Sequence, residues 1–177
     1  MLCFGTISFS ILLCVPIYNT SKYIEKTKDK ITTKGLRNSS ATLLPVKSII
    51  VCTRATIGNA AITCAEIATN QGFKNIVPKK CNSEWLYYAV ISNRLRLQRF
   101  GCGSTFAEVS KKDFEKFKLA IPPMEEQRKI AEILGVWDEA IEKHSRLIER
   151  LEVRKRALMQ RLLTGRTRLS GFTTPWQ

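Results

Sequence analysis

The chain is poor in the side chains that carry most enzyme chemistry. Among 177 residues there is one histidine, His144, so a Ser-His-Asp or Cys-His site has no support. Six cysteines, at positions 3, 14, 52, 64, 81 and 102, include no close pair. With a lone histidine this excludes a recognisable zinc site, and reduced thiols in a cytoplasmic setting are expected. No GxxxxGK[ST] loop, GxGxxG fingerprint or nucleophile elbow occurs, which speaks against an independent ATPase, a dinucleotide enzyme or an α/β-hydrolase. No catalytic residue, metal or cofactor is therefore expected.

Charge is missing from one region and abundant in another. Residues 1–21 contain no charged side chain. Met1-Leu2-Cys3-Phe4 lacks the basic start of a secretory signal, and the apolar run from Ile7 to Ile17 is broken by serines and Pro16, short of the ~20 residues a membrane helix needs. Residues 1–18 are read as a partly buried N-terminal segment or the remnant of a longer chain, without a membrane role. Elsewhere 29 Lys and Arg stand against 15 Asp and Glu. Residues 1–124 hold 18 basic and 7 acidic side chains, a net +11, whereas residues 125–165 hold 9 and 8. A surplus of this size on one folded body is the electrostatic footprint of a phosphate-binding surface, and nucleic acid is the leading partner class, ahead of a generically basic domain or one that meets anionic lipid. The lysines are interleaved with apolar residues and form no block of five or six.

The body reads as mixed. Residues 46–52 have the β-branched enrichment of a buried strand, residues 59–63 resume extended structure after Gly58, and residues 73–77 follow Gln71-Gly72. Asn82-Ser83 can cap a helix over 84–98, with Trp85, Leu86, Ala89, Val90 and Leu97 inward. Ser110 with Asp113 suits the cap of a short helix from Lys111, and residues 118–121 return as a short strand.

Pro122-Pro123 then stops what precedes, and Glu125-Glu126 favour a helix start. Apolar positions follow at spacings of four and three: Ile130, Leu134, Trp137, Ile141, then His144, Ile148 and Leu151. His144 is read as a tolerated polar break. Ile133, Ala140 and Leu147 widen the stripe. Thr164-Gly165 supplies a left-handed cap, so one helix should run to about Leu163. It is too long to bury its stripe against a body of this size, which implies a partner helix. With Arg154, Lys155 and Arg161 on its rows, the seam is expected to weaken toward the C-terminus.

Six stretches lie in a recognisable order: Ile31-Thr32-Thr33-Lys34-Gly35-Leu36-Arg37-Asn38-Ser39-Ser40-Ala41, Thr53-Arg54-Ala55-Thr56-Ile57-Gly58, Asn70-Gln71-Gly72-Phe73, Gly103-Ser104-Thr105-Phe106, Pro122-Pro123-Met124-Glu125-Glu126-Gln127 and Leu162-Leu163-Thr164-Gly165. Together they resemble the target-recognition domain and spacer helix of the specificity subunit of type I restriction-modification systems. The resemblance covers about residues 19–169 and implies an α+β fold, a mixed target-recognition domain followed by one long C-terminal coiled-coil helix. The expected organisation is an apolar segment 1–18, a DNA-binding domain 19–123, a spacer helix 124–165 and a tail 166–177.

The resemblance also implies a subunit without chemistry of its own, which reads the double-stranded DNA target and holds the methyltransferase and restriction subunits. In agreement, Pro122-Pro123 is flanked by Ile121 and Met124 rather than the Asn/Asp and aromatic residue of an amino-methyltransferase loop. With one recognition domain and one helix, the chain is expected to be a half-subunit or truncated form, most simply pairing with a second copy of itself across a two-fold axis. The alternative is a truncated fragment or coiled-coil scaffold without specific DNA binding.

Phosphate contacts are expected from Lys74, Lys79, Lys80, Lys111, Lys112, Arg94, Arg96 and Arg99. Thr53 and Arg54 are the candidates for approach to a base edge, Arg being able to engage guanine with paired hydrogen bonds. The loop with Ser104 and Thr105 could bring amides and hydroxyls to DNA. Ile130, Leu134, Trp137, Ile141, Leu147, Ile148 and Leu151 form the expected partner-helix seam.

Overall fold

A computed structural model describes residues 8–12, 22–101 and 108–176. The chain divides into two compact units, Met1–Ala131 and Glu132–Gln177. The first holds two four-stranded mixed sheets. One has the order β3-β1-β7-β4, from β1 (Ser8–Leu12), β3 (Asp29–Thr32), β4 (Thr42–Leu44) and β7 (Ile67–Thr69). The other has the order β2-β6-β5-β8, from β2 (Tyr23–Ile24), β5 (Ile49–Cys52), β6 (Ala60–Thr63) and β8 (Phe73–Ile76). The short helix α1 (Thr33–Arg37) is capped by the Thr32 hydroxyl, which accepts from the Gly35 amide.

All four residues of β5 and of β6 are buried, the pattern of strands covered on both faces. Ile49, Val51, Ile57, Ala60 and Ile62 pack on one side with Trp85, Leu86, Val90 and Leu97 of α2 (Ser83–Ser92) and α3 (Arg94–Arg99). Ile50, Cys52 and Ala61 turn to the other side and meet Leu44, Ile67 and Phe73. The result is three layers, sheet on sheet on helices, with the central sheet shared by two apolar interfaces.

Within the apolar N-terminal segment, Ser8–Leu12 is the described part, and it forms a strand. Ser8 to Ile11 pair antiparallel with Thr32 to Asp29, and Ser10 to Leu12 pair parallel with Ile67 to Thr69, so β1 is an interior strand. A division at residue 18 separates it from the sheet it completes. Two further expectations are corrected. The helix anticipated over 84–98 is interrupted at Asn93, whose side-chain amide donates to the Ala89 carbonyl and whose backbone N–H reaches Val90. Residues 118–121 form no strand: Leu119 packs against the core while Ile121 is exposed, and the following prolines offer no N–H for a ladder. Asn82 and Ser110 do cap α2 and α4 (Lys111–Glu115), accepting from the Trp85 and Asp113 amides.

The long helix α5 spans Met124–Leu163, 40 residues, or about 60 Å at ~1.5 Å per residue. Its first turns belong to the body: Ala131 is buried in the core and Ile130 packs against it. Ile130 is thus consumed internally, and the free seam starts later. In the second unit Leu134, Trp137, Ile141, Leu147, Ile148 and Leu151 are all exposed, and Leu158 continues the row one heptad beyond Leu151. The opposite surface carries the ion pairs Lys143–Glu139 and Arg146–Glu142. The helix ends on Gly165 at φ +70°, after which the Thr167 amide donates to the Arg161 carbonyl and Arg168 lies over the Trp176 ring. Among the described residues no helix is long and apolar enough to cross a membrane.

Candidate nucleic-acid interface

The C-terminal end of β5 organises a cationic edge of the first unit. Cys52 pairs with Phe73 at the start of β8, and Val51 with Lys74. Beyond them the chain turns through Arg54, Ala55 and Thr56. The Thr56 amide donates to the Arg54 carbonyl at 2.6 Å, and Ala55 sits at φ +54°. A non-glycine residue held in the left-handed region is strained and persists where the surroundings over-determine it, a pattern that clusters at functional sites.

Three connections bring other segments to this turn. The Val109 amide donates to the Thr53 carbonyl at 3.1 Å, and Arg54 forms an antiparallel bridge with Glu108. Helix α4 begins two residues later, placing Lys111 and Lys112 beside the same edge. From α3, Arg94 lies directly over Gly58, and the Gln98 side-chain amide (Nε2) donates to the Ile57 carbonyl at 3.3 Å. Gly58 is at φ +86°, and a Cβ there would come within 2.7 Å of the Arg94 side chain. Arg96 stacks over Phe117, with its guanidinium 5.4 Å from the ring centre.

Arg54, Lys74, Arg94, Arg96, Lys111 and Lys112 are therefore tied to one end of the central sheet. Arg99, at the exposed C-terminal end of α3, leads into the segment before Glu108. Lys79 and Lys80 are exposed but leave β8 at its other end, where Ile76 pairs with Ile49, and so lie apart from the Arg54 group. Ser104 and Thr105 fall outside the described residues.

Thr53 is corrected by its environment. It is 1 % exposed, and its hydroxyl donates to the Gly72 carbonyl at 3.1 Å. A buried hydroxyl committed to a turn offers nothing to a base edge. The same turn is closed by Asn70, whose side-chain oxygen accepts from the Gly72 amide. Arg54, by contrast, is exposed, and its guanidinium lies 2.9 Å from the Glu108 carboxylate.

Sequence reasoning passed over Glu108. It is the single acidic residue between Glu84 and Asp113, a stretch with five Lys and Arg, and that isolation was the available clue. Lys22 is a cation the body uses internally: its ammonium sits 4.1 Å above the Tyr88 ring and pairs with Glu84. At α4, Asp113 accepts from the Lys116 ammonium and the Ser110 hydroxyl, which together hold its carboxyl below the usual range. No group of His, Cys, Asp and Glu able to hold a metal occurs among the described residues.

Comparison with known proteins agrees with this architecture. The family model "Type I restriction modification DNA specificity domain" matches residues 13–153. The MjaIX type I restriction enzyme specificity subunit of Methanocaldococcus jannaschii is 36% identical over 133 residues, covering 73% of this chain and 31% of that protein. The HsdS subunit of Thermoanaerobacter tengcongensis has a similar fold, with TM-score 0.56 and 16% identity over 78% of this chain and 33% of the other. The S subunit of a type I restriction-modification system from M. genitalium gives TM-score 0.54 and 19% identity, over 88% and 42%. The chain spans about a third of the length of the curated relatives it matches. With the family model covering most of its length, the chain belongs to the type I restriction-modification DNA specificity domain family.

Proposed function

We propose that this chain recognises a DNA sequence for a type I restriction-modification complex and directs partner methyltransferase and restriction subunits to that site, without chemistry of its own. The observation that carries the reading is the gathering of Arg54, Lys74, Arg94, Arg96, Lys111 and Lys112 at one end of the central sheet of a body with net charge +11. Arginines and lysines anchored on rigid elements can neutralise successive phosphates, and Arg54, exposed on its constrained turn, is the residue we assign to a base edge. The exposed stripe of α5 supports a second role, docking a helix of a second copy or of a methyltransferase subunit.

The test has two arms. Duplex binding by the full chain is titrated at several salt concentrations, where a phosphate-based interface gives a log–log slope of about −0.9 per phosphate neutralised. Affinity purification of the tagged chain from its host should recover an adenine methyltransferase subunit. A flat salt response removes the phosphate-contact account. A chain that self-associates through α5 but binds neither duplex nor methyltransferase is a scaffold instead.

A further inference from the structure

We infer that Gln71 is a specificity-determining residue of the DNA interface, with a side-chain amide that reads an adenine in the major groove. The inference rests on the DNA-recognition reading above and names a base-reading group that reading does not use.

The position follows from the strand register. Cys52 is paired with Phe73, and the Gly72 carbonyl accepts from both the Thr53 amide at 3.4 Å and the Thr53 hydroxyl at 3.1 Å. The pairing of β5 with β8 therefore runs one rung beyond the strands, and the next residues outward are Arg54 and Gln71. The turn that carries Gln71 is closed without its side chain. Asn70 accepts from the Gly72 amide through its side-chain oxygen and from the Phe73 amide through its carbonyl. Gln71 gives the turn only its own main-chain carbonyl, which accepts from the Lys74 ammonium at 3.4 Å. Gln71 is exposed, on a backbone held by the buried Thr53 and Gly72.

One contact orients the amide. The Ser40 hydroxyl, from the loop between α1 and β4, donates to Gln71 Oε1 at 3.3 Å. That oxygen keeps a second lone pair, and among the described residues Nε2 has no partner. An acceptor and a donor held on one planar group match adenine, whose N6 donates and whose N7 accepts in the major groove. Arg54 and Lys74 beside it carry charge and can seat the DNA backbone. A neutral amide neutralises no phosphate, and its paired donor and acceptor have the chemistry of a base edge. An exposed hydroxyl–amide hydrogen bond contributes little to the fold, so the side chain is available for this role.

The experiment uses the full chain as wild type, Gln71→Ala and Gln71→Glu. Each selects sequences from a random duplex pool, and affinities for the wild-type selection and for the unselected pool are measured over a series of KCl concentrations. Gln71→Ala should bind the selected duplex about ten- to hundredfold more weakly, with preference lost at one adenine position. Its affinity for the pool and its salt slope should stay at wild-type values, because no charge is removed. Gln71→Glu should change the preferred base at that same position from adenine to cytosine, whose N4 amino group donates to a carboxylate.

A Gln71→Ala selection identical to wild type overturns the inference. So does an equal loss on selected and unselected duplex, which would mark a sugar or phosphate contact, and so does a Gln71→Glu selection that keeps adenine at every position. In all three cases the wild type still enriches a sequence and the recognition reading stands. A wild type that enriches no sequence, or binds no duplex at low salt, overturns that reading and this inference together. Thermal unfolding midpoints should match wild type, as the exposed side chain requires; if Gln71→Ala lowers its midpoint, the change of base in Gln71→Glu decides.

Discussion

The Gln127 side-chain oxygen accepts from the Asn82 backbone amide at 2.8 Å, joining the start of α5 to the cap of α2. The Gln127 amide completes the clasp by donating to the Pro122 carbonyl at 2.8 Å. At 2 % exposure, this glutamine is a buried polar group with both ends satisfied by main-chain groups. Gln127→Ala should destabilise the first unit by about 1–3 kcal/mol, the cost of leaving buried donors and acceptors unpaired. Urea unfolding checks this: the midpoint should fall with little change in slope. A midpoint equal to wild type would mean that the clasp contributes nothing beyond what water supplies.

Gly58 makes a sharper demand. Its φ of +86° is costly for any residue with a Cβ, and that Cβ would meet Arg94 at 2.7 Å from the side chain and 3.1 Å from the backbone. Gly58→Ala should cost about 1–3 kcal/mol through strain and displacement of α3. Because α3 carries Arg94 and Arg96, duplex affinity should weaken as well. Unfolding and binding measured on the same preparation test the coupling, and a loss of stability with unaltered binding would show that α3 is not part of the interface.

Local chemistry made some of this structure legible in the sequence. The pair Pro122-Pro123, the acidic first turn and Gly165 bound α5 closely because each acts on its own neighbours. Strand β5 was readable because Ile49-Ile50-Val51-Cys52 is buried on both faces and therefore apolar throughout. Long-range partners were not readable. Nothing near Ser8–Leu12 announces that Thr32 and Ile67 flank it, and Thr53 looks available until Gly72 claims its hydroxyl. The break at Asn93 is hidden in the sequence because Arg94-Leu95-Arg96-Leu97 are good helix formers, and the bond from its side chain to Ala89 marks it only in the structure. Leu158 lies seven residues after Leu151, but the intervening Arg154 and Lys155 make the apolar row look as if it ends before it.

The exposed stripe of the second unit yields a test of assembly. Leu147 and Ile148 are 51% and 58% exposed, so aspartate at either position disturbs no core of the isolated chain. Leu147→Asp or Ile148→Asp should leave the helix content of the monomer intact. Either should abolish self-association or methyltransferase co-purification, because an unpaired charge would be buried in an apolar seam. Sedimentation and pull-down measure the two. If both are unchanged, the seam lies elsewhere on α5.

Asp113 gives a pH-dependent expectation. Its carboxyl is held below the usual range by hydrogen bonds from Lys116 and Ser110. A folded-state pKa below the unfolded value contributes stability above the unfolded pKa, and that contribution is lost as pH falls through the folded one. Helix α4 should therefore loosen in acid below the ordinary aspartate range. Titration of the Asp113 carboxyl by NMR checks the direction, and Lys116→Gln should move its midpoint upward. No movement would assign the depression to the Ser110 hydrogen bond alone.

The two ends of β8 provide the most direct discrimination among candidate phosphate contacts. Lys111 and Lys112 open α4 two residues after Val109, which is bonded to Thr53 at the Arg54 end. Lys79 and Lys80 leave the sheet beyond the Ile49–Ile76 pair at the opposite end, and α2 runs from their side toward Arg94. Asn82, two residues past Lys80, is the group that Gln127 engages, so this end is occupied by the start of α5. A duplex seated on the Arg54 edge should therefore feel one pair and not the other. Replacing Lys111 and Lys112 together by glutamine should reduce the salt slope of binding by up to about 1.8, the sum for two phosphates, while the same change at Lys79 and Lys80 should leave it nearly unaltered. Equal effects of the two double variants would require a footprint spanning the whole length of the central sheet, and the reverse order would place DNA at the helix-anchoring end.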